Sequence, residues 1–235
     1  MTEYTDILID FDDTLYDTHG NADLALREVY EQFRLDRYFD RPDDFCVPYW
    51  QTNVELWKQY AHGEITRDYL IVERFLRPLS LGKGLEPTAE LCLQISDSFL
   101  EFCSNKPNTI AGAHDLMQYL QSRGYRMHIA SNGFHEVQYR KLRASRMLDY
   151  FATVVLSEDA GANKPSPQFF DYAMKVTAAN LQRTILIGDN LDTDITGARN
   201  AGLPQIWFNP HGQTNTKDFT PTFEVRALEE IKAIL

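Results

Sequence analysis

Ile7-Leu8-Ile9-Asp10-Phe11-Asp12-Asp13-Thr14 is the stretch that decides the fold of this chain. The apolar run 7–9 predicts a buried strand, and two carboxylates separated by one residue follow it directly, where that strand would end. One carboxylate of such a pair can attack a phosphorus atom while the other transfers a proton. The stretch therefore predicts a reaction centre at the open end of a strand, to which later segments must contribute.

The composition is that of a water-soluble globular protein with an acidic surface. The chain has 235 residues, of which 43% are hydrophobic and 24% are charged, and its formal net charge is −11. This length allows one sizeable core, or one core with an inserted lobe. The negative charge argues against non-specific binding to a nucleic-acid polymer or to an anionic membrane. A local lysine and a metal ion could still make one site attractive to a phosphorylated small molecule.

Cysteine usage and the N-terminal segment indicate a reducing, cytoplasmic setting. The three cysteines, Cys46, Cys92 and Cys103, form no C-x-x-C pair, so a disulfide framework or a cysteine-based zinc site is not expected. The first six residues are acidic and contain no apolar signal-peptide region. No stretch approaches 18 apolar residues, so we expect no membrane span.

Short apolar runs alternate with helical patterns along most of the chain, which predicts an α/β fold with a parallel sheet and helices on both of its faces. The predicted strands cover residues 7–9, 126–130, 153–156, 184–187 and 205–208. The predicted helices cover residues 113–123, 167–178, 194–201 and 228–235. For the helix at 167–178 we expect Ser166 as the N-cap and Pro167 at the first helical position.

Residues 16–103 break this alternation. Apolar residues recur there at helical spacing in four segments, and none of the segments resembles a strand. The sequence therefore predicts an inserted all-helical domain at 16–103, with a core domain made of 1–15 and 104–235. The aromatic residues Tyr49, Trp50, Trp57 and Tyr60 fall in this insertion, and packing within the helical lobe is favoured over base stacking.

Each of the other predicted strands is also followed by polar residues suited to phosphate chemistry. Ser131-Asn132-Gly133 ends the second strand, Lys164-Pro165 follows the third, and Gly188-Asp189 ends the fourth. Because ligands in open α/β sheets bind beyond the carboxyl ends of the strands, these residues should meet Asp10 in one crevice.

Their chemistry divides into distinct roles. Asp10 can attack phosphorus and form an acyl phosphate, and Asp12 can protonate the leaving oxygen and later deprotonate water. Because a carboxylate repels a phosphate dianion, we expect Mg²⁺, held by Asp10, Asp189 and the backbone carbonyl near Asp12. Lys164 can neutralise phosphate charge as a point cation, and the Ser131 hydroxyl can donate to phosphate oxygens.

Three further residues have supporting roles in this prediction. Asn132 belongs to the phosphate-binding turn through its backbone N–H region, and we expect Asp194 to orient Lys164 or a metal-bound water. Thr14 supports the first carboxylates. Asp192 also lies near the usual spacing from Asp189, so both Asp192 and Asp194 are candidates for the second acidic residue of this segment.

These four segments resemble the motifs of the haloacid dehalogenase-like (HAD) superfamily, and of its phosphatase branch in particular. The first motif, D-x-D-x-T, is matched by Asp10, Asp12 and Thr14, and the next two are matched by Ser131 and Lys164. The fourth, G-D-x-x-x-x-D, is matched at 188–194, and Asp194 is preferred over Asp192 because the Asp-Ile that opens the next predicted helix fits the family pattern better. The resemblance spans essentially the whole chain. It implies a Rossmann-like core, an aspartyl-phosphate intermediate, Mg²⁺ and, for the helical insertion, a cap of type C1.

Two segments, 56–66 and 194–203, look like those of bacterial house-cleaning 5′-nucleotidases. This narrower resemblance implies a small phosphorylated metabolite such as a nucleoside monophosphate as the substrate. The oligomeric state stays open between a monomer and a homodimer. Three alternatives remain open on the same scaffold, namely a 2-haloacid dehalogenase, a phosphosugar mutase and a catalytically silent binding protein. A dehalogenase needs no metal, so Asp12 and the acidic fourth motif favour chemistry at phosphorus.

Overall fold

A computed structural model describes residues 4–235, which divide into an α/β unit and a helical unit. The α/β unit comprises residues 4–17 and 107–235, and the helical unit comprises 18–106. Tyr16 lies in the α/β unit because it forms β-bridges with Asp12 and Thr109. The two boundaries therefore fall two and three residues later than those drawn from the sequence.

The α/β unit is built on a six-stranded, all-parallel sheet within the described residues. Its strands, in chain order, are β1 Asp6–Ile9, β2 Arg126–Ser131, β3 Phe151–Leu156, β4 Thr184–Gly188, β5 Gln205–Phe208 and β6 Phe223–Val225. The order across the sheet is β3-β2-β1-β4-β5-β6. The predicted α/β class with a parallel sheet is confirmed, and β1 lies centrally, between β2 and β4, where the strand order reverses.

Helices cover both faces of this sheet. They are α5 Ala113–Ser122, α6 His135–Ala144, α7 Ser157–Ala160, α8 Pro167–Thr177 and α9 Thr196–Asn200, the numbering following the four helices of the other unit. Alternate residues of β1 belong to two separate apolar clusters, one on each face of the sheet. Ile7 and Ile9 pack with residues of α5, whereas Leu8 packs with residues of α8 and α9. This two-sided burial explains why the strand sequences are continuous apolar runs rather than alternating ones.

Two predicted helices differ from the structure. Residues 191–195 form a π-helical turn that contains Asp194, and the α-helix begins only at Thr196. The C-terminal segment Leu228–Ala233 is a 3₁₀ helix rather than an α-helix. Ser166 makes no side-chain capping hydrogen bond to the helix that follows, although Pro167 does occupy its first turn.

The helical unit contains α1 Thr18–Gln32, α2 Asp43–Ala61, α3 Arg67–Leu79 and α4 Ala89–Ser104. Thr66 and Thr88 cap α3 and α4 by accepting the backbone N–H groups of Tyr69 and Leu91. All four helices contribute to one apolar core of their own, in which Tyr49 is fully buried against Phe75 and Phe99. No helix among residues 4–235 is long and apolar enough to cross a membrane.

Candidate active site

The loop after β1 places two carboxylates at the carboxyl edge of the sheet. The Asp10 N–H donates to the Ile187 carbonyl at 2.9 Å, so the ladder to β4 extends one residue beyond the strand. The chain then turns back, because the N–H groups of Leu15 and Tyr16 both donate to the Phe11 carbonyl. Asp10 is thereby fixed between the ends of β2 and β4, and Asp12 follows one residue after the start of the turn.

A buried lysine joins two of the predicted carboxylates. Lys164 Nζ lies 2.6 Å from Asp10 Oδ1, 2.6 Å from Asp194 Oδ1 and 2.6 Å from the Ala130 carbonyl oxygen. An ammonium has three N–H donors, so this one is fully used. Burial alone would lower the pKa of Lys164, but the charges of Asp10 and Asp194 outweigh it and raise the pKa above its ordinary value. Lys164 is therefore a permanent cation inside the site.

The carboxylates around this lysine repel one another. Burial raises the pKa of Asp10 to about 7 against the opposing charge of Lys164, and the charges of Asp194 and Asp12 add to the increase. Burial and the charges of Asp10 and Asp194 likewise hold the pKa of Asp189 well above its ordinary value. Excess negative charge in a dry site is the condition that a bound divalent cation relieves.

Three carboxylates are close enough to share one ion. Oxygen atoms of Asp10, Asp189 and Asp194 all lie within 4.8 Å of one another. Thr14, which is fully buried, links two of them: its hydroxyl lies 2.9 Å from Asp189 Oδ1 and 3.3 Å from Asp10 Oδ2. The same hydroxyl accepts the Asp189 N–H at 3.1 Å. A set of hard oxygen donors with this spacing fits Mg²⁺.

The structure separates the two candidates for the second acidic residue of the fourth motif. Asp194 is 1% exposed, binds Lys164 and accepts the Asn190 N–H at 3.1 Å. Asp192 is partly exposed, and its carboxylate pairs with Lys217. A side chain at Gly188 would lie 2.5 Å from Asp194 Oδ2, so the glycine leaves the space that the carboxylate occupies.

Ser131 and Asn132 lie at the end of β2, beside the lysine. Asn132 brackets the Lys164 backbone: its Oδ1 accepts the Lys164 N–H at 2.7 Å, and its Nδ2 donates to the Lys164 carbonyl at 3.0 Å. Ser131 Oγ accepts the Gly133 N–H at 3.0 Å. The Asn132 side chain thus holds Lys164 in place, and only its backbone is left for the predicted phosphate contact.

Three residues that we did not predict also hold the site together. On α6, Lys141 Nζ lies 2.5 Å from Asp12 Oδ1, and Gln138 Nε2 donates to Asp12 Oδ2. On β5, the Trp207 indole N–H donates to the Asp189 carbonyl at 2.8 Å. Gln138 and Lys141 are one helical turn apart and follow Ser131-Asn132-Gly133 closely, which is a usable sequence signal. For Trp207 the sequence carries no such signal.

A strand-edge crevice with these acidic residues and a buried lysine defines the class of protein. The family model for the haloacid dehalogenase-like hydrolases matches residues 7–202. The chain belongs to this family and is a hydrolase, and the family resemblance predicted from the four motifs is confirmed.

Individual relatives are similar over almost the whole chain. YfnB of Bacillus subtilis, described as a HAD-hydrolase, is 34% identical over 100% of this chain and 97% of its own. Its crystal structure bound to magnesium has a TM-score of 0.88 and covers 99% of this chain and 98% of that one. The pyrimidine 5′-nucleotidase PynA of Streptococcus pneumoniae is 31% identical, covering 97% and 93% of the two chains. A glyceraldehyde 3-phosphate phosphatase of Pyrococcus abyssi is 31% identical, covering 86% and 80%.

Proposed function

We propose that this protein is a Mg²⁺-dependent phosphomonoester hydrolase that works through an aspartyl-phosphate intermediate. The observation that carries the proposal is the buried arrangement in which Lys164 joins Asp10 to Asp194, with Asp189 close by. The proposed nucleophile, a fixed cation and candidate metal ligands are thereby close together at the carboxyl edge of the sheet, with Asp12 two residues from Asp10.

In the first half of the reaction, an Asp10 carboxylate oxygen forms a bond to phosphorus while the bond from phosphorus to the ester oxygen breaks. Asp12 gives its proton to that departing oxygen, so the leaving group departs as a neutral alcohol. Lys164 and the Ser131 hydroxyl stabilise the charge on the phosphoryl oxygens that do not react. The product on the protein is an acyl phosphate at Asp10, with Asp12 now ionised.

In the second half, Asp12 accepts a proton from water as the water oxygen forms a bond to phosphorus. The bond between phosphorus and Asp10 breaks, which releases inorganic phosphate and regenerates the Asp10 carboxylate. Asp12 is protonated again at the end, so both residues are returned to their starting state.

The Mg²⁺ assignment rests on the donor set and its electrostatics. Asp10 and Asp189 would hold the ion with a backbone carbonyl near Asp12, and Asp194 is close enough to take part. When bound, the ion would screen the repulsion between the Asp10 carboxylate and the phosphate dianion. The raised pKa values of Asp10 and Asp189 support this role, because burial and, after it, neighbouring carboxylates oppose the ionised forms that a bound cation would stabilise.

We propose a small phosphorylated metabolite as the substrate, with nucleoside monophosphates first among the candidates. The resemblance of residues 56–66 to house-cleaning nucleotidases supports this class, as does the similarity to a pyrimidine 5′-nucleotidase. The similarity to a glyceraldehyde 3-phosphate phosphatase makes triose phosphates the second class to test. We assign the helical unit, residues 18–106, the role of a C1-type cap that sets substrate choice.

A phosphate-release screen tests the proposal directly. The purified protein is assayed with Mg²⁺ against nucleoside monophosphates, triose and hexose phosphates, phosphoglycolate and 4-nitrophenyl phosphate. Turnover of several esters is expected, with nucleoside monophosphates among the best. Halide release from a 2-haloacid in the presence of chelator would instead support a dehalogenase, and failure on every ester would support a silent binding protein. If only nucleotides fail, the phosphatase proposal stands and the nucleotidase proposal falls.

A further inference from the structure

The carboxylate of Asp12 is held at both oxygens by one face of α6. Lys141 contacts Oδ1 at 2.5 Å, and Gln138 donates to Oδ2. Both α6 side chains are buried, and Gln138 is fully so. These two contacts fix the plane of the carboxylate.

Gln138 joins Asp12 to Ser131 through a single nitrogen. One N–H of Nε2 points to Asp12 Oδ2 and the other to Ser131 Oγ, at 2.8 Å. Ser131 Oγ also accepts the Gly133 N–H, so both of its acceptor positions are taken. Its own O–H has no acceptor in the described part of the chain. The hydroxyl is therefore left as a donor, oriented by Gln138 and Gly133.

This orientation of Gln138 is costly for the folded protein. With Nε2 facing the two acceptors, Oε1 is buried without a hydrogen-bond partner among residues 4–235. The reversed amide would place Oε1 against the Asp12 carboxylate, which repels it. Folding alone would favour an apolar side chain of this size, because a buried unpaired carbonyl is destabilising. A side chain retained at such a cost indicates a role in function.

The glycine after Asn132 supplies an independent observation. A Cβ at Gly133 would overlap with the Gln138 amide, whose Cδ atom would lie only 2.5 Å away. Ser131-Asn132-Gly133 and Gln138 therefore form one fitted unit, in which the turn leaves room for the amide.

We infer that Gln138 and Lys141 are positioning residues for Asp12, the proposed acid/base group. Gln138 fixes the position of Asp12 relative to the Ser131 hydroxyl, which donates a hydrogen bond to the substrate phosphate. This inference rests on the proposed function, because it assigns Asp12 to proton transfer and Ser131 to the phosphate. Neither α6 residue needs to touch the substrate, since each acts through a neighbour.

The dependence on the leaving group tests this inference. An alkyl phosphate needs a proton on its leaving oxygen, whereas 4-nitrophenolate leaves readily without one. We therefore compare kcat/KM, which reports the phosphorylation of Asp10, for the best alkyl phosphate of the screen and for 4-nitrophenyl phosphate. In Gln138→Met the alkyl value should fall at least about tenfold, and the aryl value less than about threefold. An equal fall for both substrates would overturn the positioning role.

Lys141 and a neighbour on the same helix supply the matched variants. Lys141→Met should show the same selective loss, and Lys141→Arg should recover most of it, because arginine keeps a charged donor. Arg140→Met removes a charge from the same helix without touching Asp12 and should leave both kcat/KM values unchanged. If Arg140→Met lowers the two kcat/KM values as Lys141→Met does, the loss comes from removing any positive charge on α6, and the inference is wrong.

A readout that does not use activity separates this inference from the proposed function. Because Gln138→Met removes a buried unpaired carbonyl, its melting temperature should stay within about 2 °C of the wild-type value or exceed it. A clear decrease would make Gln138 a stabilising residue and overturn the inference, whatever the activity. If the wild-type protein hydrolyses no ester, the proposed function fails, whereas a wild-type phosphatase with equally affected variants refutes only the positioning role.

Discussion

Lys164 Nζ and Asp10 Oδ1 lie 2.6 Å apart, and both side chains are almost wholly removed from solvent. The ion pair is therefore unscreened, and its strength comes from the low polarity around it. A buried pair of this kind is weak evidence for stability, since apolar residues often replace such pairs without loss. Its placement at the end of the central strand, with every lysine N–H satisfied, indicates selection for chemistry.

Replacing Asp10, the proposed nucleophile, should abolish turnover. Asp10→Asn keeps the shape of the side chain but removes the charge that attacks phosphorus, so phosphate release should fall at least about 10⁴-fold. Asp159→Asn, an exposed substitution on α7, is the matched control and should retain wild-type rates. Substantial Mg²⁺-dependent release by Asp10→Asn would rule out the covalent mechanism.

Removing the buried ammonium of Lys164 should destabilise the protein and make its unfolding free energy depend more strongly on Mg²⁺. Lys164→Met leaves Asp10 and Asp194 facing each other without a cation, which should cost about 3–5 kcal/mol of unfolding free energy. Urea unfolding with and without Mg²⁺ measures this cost. The ion should restore more stability to the variant than to the wild type, because it screens the same carboxylates. Equal increments would show that the ion binds elsewhere.

Replacing Asp189 should have the opposite effect to replacing Lys164: the metal-free protein should not lose stability, and the stabilisation by Mg²⁺ should become smaller. The pKa of Asp189 is raised by burial and by neighbouring carboxylates, so its charge destabilises the metal-free protein at neutral pH. Asp189→Asn should therefore melt at the wild-type temperature or above without metal. Wild type should gain stability with Mg²⁺, by about 2.7 kcal/mol at a hundred times the Kd, and the variant should gain much less. A full Mg²⁺ response in Asp189→Asn would exclude this residue as a ligand.

Most of the fold could be predicted because the buried strands are continuous apolar runs. β6 was missed because Phe223 and Glu224 are both exposed and the strand has only three residues. α6 was missed for a related reason: Gln138 and Lys141 occupy its buried face, so polar residues conceal the apolar periodicity. Polar residues that contact the candidate site thus replace the apolar residues from which a helix is normally predicted.

The residues of the candidate site divide in the same way. Asp10, Asp189 and Lys164 could be selected from the sequence because each follows a strand, and parallel strands end at one edge. The helix predicted to open at Asp194 was wrong, since that residue lies in a π-helical turn and binds Asn190 and Lys164. The contact between Lys164 and Asp194 joins two separate segments of the chain, and no local spacing encodes it.

The absence of a side chain at Gly188 should be necessary for the position of Asp194. Gly188→Ala would place a Cβ 2.5 Å from Asp194 Oδ2 and 2.6 Å from its Cγ, which should cost about 1–3 kcal/mol through overpacking. A double-mutant cycle with Asp194→Ala measures the coupling. The cost of Gly188→Ala should shrink when residue 194 is alanine, because the contacts with Oδ2 and Cγ are then removed and only the contact with the residue 194 Cβ, at 2.6 Å, remains. If the free-energy changes of the two substitutions are additive, the strain caused by Gly188→Ala does not come from contact with Asp194.

His128 should make the protein less stable as the solution is acidified. On β2, its Nε2 lies 3.2 Å from Asp6 Oδ1 of β1, and its Nδ1 is buried without a partner among the described residues. Burial lowers the pKa of His128 below the ordinary value of 6.5, although the Asp6 hydrogen bond opposes this decrease and the charge of Arg126 adds to it. A second proton would have to sit on Nδ1, where it finds no acceptor.

The sign of the pH dependence follows from this lowered pKa. Well above pH 6.5 the His128 ring is neutral in the folded and the unfolded protein, so it does not change the unfolding free energy with pH. As the pH falls below 6.5, the unfolded chain takes up a proton that the folded chain resists, so unfolding free energy is lost until the pH reaches the lowered pKa. Urea unfolding between pH 7.5 and 5 should show a larger loss, or a smaller gain, in the wild type than in His128→Gln, because the raised pKa values of Asp10 and Asp189 add the same opposite contribution to both proteins. The exposed His62→Gln should follow the wild-type curve, and parallel curves for all three proteins would remove His128 as the cause.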